Sequence, residues 1–215
     1  MIGSAGIDAG YVVASILFII GLKMLSRQKT ARLGNKISAL GMLIAVTMAL
    51  LSSGLDYRYI LLGLAIGAAI GVIAAVRVAI TSMPEMVALF NGFGGVASLL
   101  VGWAEYEAAR GVWAQDPMAA TLMALIGTAL AVLIGGVTFT GSMVAWGKLS
   151  QTLPGQPLVF RGQQSLNVLL LLGAIGLSVA FVINPVGMYI PFLVLIGIAL
   201  VFGVLFTIPI GGADM

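Results

Sequence analysis

The sequence predicts an all-α membrane protein, a polytopic bundle of about seven transmembrane helices with its N-terminus outside and its C-terminus inside. Three observations predict it. Of 215 residues, 61% are hydrophobic and only 8% charged, and the mean hydropathy of +1.17 lies outside the range of soluble domains. Apolar runs of about 20 residues recur along the chain, each long enough to cross a hydrocarbon core of about 30 Å as a helix. The runs are continuously apolar instead of alternating, which favours helices over a barrel.

The spans expected in order are about 8–25, 37–54, 59–79, 83–105, 118–146, 165–183 and 187–209. The first is too long, and too soon followed by basic residues, for a cleaved signal peptide. Between the first two, "KMLSRQKTARLGNK" carries Lys23, Arg27, Lys29, Arg32 and Lys36, a cluster that marks the cytoplasmic side. Alternation then places Arg77, Lys148 and Arg161 inside as well. The outer side receives Arg58 and Arg110, together with Asp8, Asp56, Glu105, Glu107 and Asp116. Arg77 at the end of the third span, and Lys148 and Arg161 later, read as anchors. Trp103, Tyr106 and Trp113 read as an outer interfacial belt and Trp146 as an inner one. In the third span Gly63, Gly67 and Gly71 lie four apart on one face, a pattern for close helix packing.

Residues 1–215 read as one transmembrane domain. The longest connection, "KLSQTLPGQPLVFRGQQ", is too short for a core of its own, and its Pro154, Gly155 and Pro157 indicate an ordered surface turn. Cys and His are both absent, which excludes disulfides, thiol nucleophiles, Cys or His metal sites and His proton relays within these residues. No metal is expected. The net charge of +3 reflects topology, and no nucleic-acid partner is expected because no basic cluster lies on a soluble module. A phosphate loop, a dinucleotide fingerprint and paired carboxylates are all missing; "GFGG" sits inside an apolar helix, not after a strand.

Two spans carry grouped polar residues. In the fourth, Asn91, Gly95, Ser98 and Gly102 follow helical spacing, so one face is small and polar while Leu89, Phe93 and Leu100 point elsewhere. The fifth repeats the theme with Thr128, Ala131, Gly135, Thr138 and Ser142. Such faces can line a narrow hydrated path or pack together through interhelical hydrogen bonds. "SMPE" reads as a capping box, with Ser82 as N-cap, Pro84 in the first turn and Glu85 facing the positive end of the helix dipole; proton handling by Glu85 is the alternative. From such a start Asn91 lies roughly 12 Å deeper, inside the hydrocarbon, where an amide needs partners.

"MPEMVALFNGFGGVASLLVGWAEY", "GGVTFTGSMVAWGKL" and the terminal "IGGADM", in that succession, resemble the membrane domain of the proton-translocating nicotinamide nucleotide transhydrogenases, specifically their beta subunit. "AGYVVASILFIIGLKMLS" and "ARLGNKISALGML" resemble that family's first two beta-subunit spans, so the similarity covers essentially the whole chain. The resemblance implies an enzyme subunit whose membrane part moves a proton while attached soluble domains pass hydride between NAD(H) and NADP(H). It implies no hydride chemistry, and no NAD or NADP binding, within these residues. It further implies two more spans and an NADP(H)-binding domain beyond Met215, so that these residues form a truncated part of a longer subunit. The implied partners are the membrane helices and NAD(H)-binding domain of an alpha subunit, the subunit's own NADP(H)-binding domain, the lipid bilayer and a second protomer in a homodimer. A Met next to the first span suggests the split-gene arrangement of a bacterial inner membrane in preference to a mitochondrial one.

By resemblance, functional weight falls on Asn91, on Ser142 of "TGS" and on Asp214, which would face the NADP(H)-binding domain. With Thr138, Ser98 and Glu85, the first two make the expected proton pathway. Many family members have a histidine where this chain has Asn91, "LH" against "FN". Asparagine does not titrate, so Asn91 is expected to line the path while a companion alpha subunit supplies the titrating group. The family's "GRH" in the inner loop is replaced by "RGQQSLN", and Arg161, Gln163 and Gln164 receive no role. A subunit of a secondary transporter or ion channel is the alternative from another class, although no broken-helix ion site is visible.

Overall fold

The computed structural model describes residues 4–51, 56–116 and 119–215. Among them are seven long helices: α1 (Ser4–Leu25), α2 (Gln28–Leu50), α3 (Tyr57–Arg77), α4 (Met83–Gln115), α5 (Leu122–Leu149), α6 (Gln163–Ile183) and α7 (Tyr189–Thr207). Each is long and apolar enough to cross a membrane. The expected span ends at 52–54 and 118 fall outside the described residues. The chain divides into two compact units, Met1–Ala74 and Ala75–Met215.

In the first unit, α1 and α2 form a hairpin closed by only Ser26 and Arg27. The basic stretch expected as a connection is therefore mostly helix. Thr30 tightens the corner by donating its hydroxyl to the Met24 carbonyl at 2.7 Å. The seam is built from small residues. A Cβ on Gly21 would lie 2.9 Å from the Gly34 carbonyl, and one on Gly34 would lie 2.8 Å from that of Gly21. Ala14 is buried beside Gly41. Helix α3 has no buried residue, and nothing lies within 4 Å of where a Cβ of Gly63, Gly67 or Gly71 would stand. Its glycine stripe was expected to pack closely; within these residues it meets nothing, and the close glycine packing of the first unit is between α1 and α2.

The second unit is organised around α5. Antiparallel α4 covers one side of it and the α6–α7 pair the other. Thr121 caps α5 by accepting a hydrogen bond from the Ala124 amide. Helix α6 starts at Gly162, whose φ of 89° suits glycine, and Pro185 follows its end. Between α5 and α7, Thr140 donates to the Leu200 carbonyl at 2.7 Å. A Cβ on Gly136 would meet Ala199 at 2.8 Å, so these two helices also touch nearly backbone to backbone.

Helix α4 has 33 residues and is about 50 Å long by its rise per residue, longer than a hydrocarbon core. It continues ten residues past the expected end at 105. Those last turns carry the Glu107–Arg110 ion pair at 2.9 Å and contribute Tyr106 and Trp113 to a buried hydrophobic cluster. Tyr106 is wholly buried, its ring centroid 4.5 Å from that of Phe192 and 5.2 Å from that of Phe181, and its hydroxyl donates to the Pro185 carbonyl at 3.0 Å. Trp113 is buried beside it. The expectation that Tyr106 and Trp113 form a lipid-facing belt is corrected: both turn inward and join the ends of α4, α6 and α7. Arg110 also lies over the Tyr189 ring, 4.7 Å from its centroid.

Candidate functional site

The two polar faces meet. Seen in the structure, α4 presents Gly92, Gly95, Leu99, Gly102 and Tyr106 as its buried strip, and α5 presents Thr128, Gly135 and Ser142, seven residues apart. The glycines bring the backbones together: a Cβ on Gly95 would lie 2.6 Å from the Phe139 amide nitrogen, and one on Gly135 2.6 Å from that of Leu99. Gly95 and Gly102 of the expected face are thus the floor of a helix seam. Asn91 and Ser98 stand at its margin.

At that margin Asn91 Nδ2 donates to Ser142 Oγ at 2.8 Å, and Ser98 Oγ donates to the Ala131 carbonyl at 3.3 Å. Ser142 is buried, whereas Asn91 is exposed. A groove of about 340 Å³ runs along the same flank, lined by Phe90, Asn91, Gly94, Ser98, Ile134 and Thr138 among others. Four of the expected pathway residues, Asn91, Ser98, Thr138 and Ser142, are therefore brought together. Of the two alternatives posed by the spacing, close packing is what the seam shows, and an open groove of mixed lining runs beside it. The amide uses one donor on Ser142, which leaves its carbonyl oxygen to accept and the Ser142 hydroxyl proton to be given onward. Neither group titrates, but together they can order water along the flank of an apolar bundle.

Glu85 stands apart, in the first turn of α4, one and a half turns before Asn91. The capping box expected around it does not form. Ser82 makes no side-chain cap bond, because it ends a short 3₁₀ turn, Ile80–Ser82, and its φ of −96° and ψ of 8° lack the extended backbone that aims an N-cap oxygen at the helix. Pro84 does occupy the first turn, and Glu85 faces the positive end of the helix dipole.

Asp214 lies exposed in a final 3₁₀ turn, Gly212–Asp214, that packs against the end of α5. Sequence reasoning missed what holds that end. Lys148 is buried, with its ammonium donating to the carbonyls of Gln156, Ile208 and Ile210. Gln163 is buried too and donates to the Leu205 carbonyl at 2.9 Å. These side chains help satisfy carbonyls at and beyond the end of α7, where the helix itself supplies no donor; Asn167 and the Leu158 amide share the task. The one available signal was a lysine in the last turn of an apolar helix, which reads equally well as an exposed anchor.

Comparison with known proteins decides the lineage: residues 7–215 match the family NAD(P) transhydrogenase beta subunit. The chain belongs to that family. Among similar proteins, the NAD(P) transhydrogenase subunit beta of Rhodospirillum rubrum, and that of a named strain of the species, are each 37% identical over 210 residues. The match covers 96% of this chain and 44% of each relative, so the chain spans less than half the length of these relatives. The transporter or channel alternative gains no support from these matches. Within the family match fall both α4 and α5, the seam between them and the turn at Asp214.

Proposed function

We propose that this chain is the proton-translocating membrane part of an NAD(P) transhydrogenase, coupling proton movement to hydride transfer between NAD(H) and NADP(H) on attached soluble domains. The observation that carries the reading is the Asn91–Ser142 hydrogen bond beside a groove that Asn91, Ser98 and Thr138 help line, within a chain of this family. Asn91, Ser142, Ser98 and Thr138 line the path and order its water, and Glu85 flanks its entrance. The titrating group comes from a membrane helix of an alpha subunit set against the groove.

Orientation follows the basic residues, with the N-terminus outside and the Lys148 and Asp214 end inside, in a bacterial inner membrane. Asp214 then faces an NADP(H)-binding domain. Coupling works by alternating access, in which proton occupancy at the groove and nucleotide state in the soluble domain bias one conformational equilibrium. The complete enzyme is a homodimer of such protomers.

In proteoliposomes containing the assembled transhydrogenase, Asn91→Leu is expected to slow proton-coupled hydride transfer about tenfold, the equivalent of one hydrogen bond of about 1.4 kcal/mol. Nucleotide binding to the soluble domains should not change. Coupled rates at the wild-type level would remove Asn91 from the path.

A further inference from the structure

Lys148 ends a helix in the position of a surface anchor, yet it is only 3% exposed. An ammonium has three N–H donors and no acceptor, and burying it unpaired is costly. Here all three donors are used. One goes to Gln156 in the connection after α5, at 3.2 Å; one to Ile208, the residue that caps α7; and one to Ile210, at 2.8 Å, in the segment leading to Asp214. All three partners are backbone carbonyls, and the cation sits where the negative end of the α7 dipole emerges.

The same place is crossed by two backbone hydrogen bonds. The Leu158 amide donates to the Ile208 carbonyl at 3.3 Å, and the Gly212 amide donates to the Gly155 carbonyl at 2.8 Å. The 149–162 connection and the 208–214 segment are thus two irregular strands of chain, far apart in sequence, tied to each other and to one cation. Beside Lys148 a pocket of about 530 Å³, lined in part by Gln151, Pro154, Gly155 and Gly212, opens to the surface.

We infer that Lys148 is a positioning residue, a tethered internal cation around which carbonyls of the 149–162 connection and the α7 exit assemble, so that Asp214 is held in a fixed place. The side chain acts as a monovalent cation bound in a carbonyl cage would act. Its link to turnover rests on the reading of Asp214 as the contact to a nucleotide-binding domain; the clamp itself does not.

Hydrogen exchange of the purified protein in lipid nanodiscs tests the clamp without turnover. Lys148→Met keeps the apolar stem and removes the charge. It should speed exchange at Leu158 and Gly212 about tenfold or more, as expected for the loss of hydrogen bonds to a charged group, while amides of the α4–α5 seam such as Leu99 keep their protection. Lys148→Ala leaves room for a free cation, and n-propylammonium should restore protection at both amides in a saturable way, whereas neutral n-propanol should not.

Unchanged exchange in Lys148→Met, no rescue by the amine, or equal rescue by the alcohol would each overturn the assignment. Should Lys148→Met lose protection throughout the second unit, the alanine variant decides: recovery with the amine alone supports the clamp, and no recovery rejects it. Failure of the reading of Asp214 has a different signature, because Asp214→Asn would then leave the coupled rates of the assembled enzyme unchanged with the exchange results intact.

Discussion

Gly135→Leu is expected to prevent α4 and α5 from closing. A single Cβ at this position would already lie 2.6 Å from the Leu99 amide nitrogen and 2.7 Å from the Gly95 carbonyl, both backbone atoms that cannot rotate away. Overpacking a well-filled site costs about 1–3 kcal/mol when side chains can yield, and the cost here should reach at least about 3 kcal/mol because whole helices must separate. Separation would also break the Asn91–Ser142 hydrogen bond. Unfolding in mixed micelles should therefore show a large loss of stability. On the same helix, Gly127 has nothing within 4 Å of its Cβ position, and Gly127→Ala should cost nothing, with helix propensity favouring it by up to about 1 kcal/mol. Equal behaviour of the two variants would contradict the backbone-to-backbone seam.

Tyr106→Ala is expected to destabilise the second unit by about 3–5 kcal/mol, the usual range for deleting a large buried ring. The ring is wholly buried among Trp113, Phe181, Tyr189 and Phe192, and so joins α4, α6 and α7. Tyr106→Phe separates the two contributions. It keeps the ring contacts and removes only the hydrogen bond to the Pro185 carbonyl, so its cost should be about 0.5–1.5 kcal/mol. Thermal unfolding in a single detergent, followed by the intrinsic fluorescence of Trp103, Trp113 and Trp146, measures both. If alanine costs no more than phenylalanine, the aromatic cluster is not what fastens this end.

The helices were legible because a bilayer demands long apolar stretches, and seven such stretches became seven helices. Their ends were less legible. Hydropathy reports where apolar residues begin, whereas helices α2 and α4 are set by backbone hydrogen bonding, which Lys29, Arg32, Lys36, Glu107 and Arg110 do not interrupt. The polar faces could be read from seven-residue spacing, since Gly95–Gly102 and Thr128–Gly135–Ser142 repeat at the interval that keeps one helix facing another. The role of Lys148 was illegible for a physical reason. Its burial depends on where α7 ends in space, sixty residues later, and nothing local distinguishes a clamped lysine from a free one. The capping box failed because its motif presumes an extended residue before the helix, and a 3₁₀ turn took that place.

Under the proposed function, the flank of the α4–α5 seam would carry water and protons. These 215 residues contain no cysteine, so a single thiol introduced here, read against the parent enzyme treated identically, reports on its own position. Thr138→Cys lines the groove shared with Asn91 and Ser98, whereas Leu130→Cys lies on the same helix in a groove lined mainly by Ile126, Ala129, Val179 and Val182. A charged, membrane-impermeant thiol reagent reacts with the thiolate and so requires water at the site. In the assembled enzyme, the reagent should label Thr138→Cys and stop proton-coupled hydride transfer, while Leu130→Cys should remain unlabelled and active. Labelling of Leu130→Cys alone, or undiminished proton coupling after complete labelling of Thr138→Cys, would contradict a path along this flank.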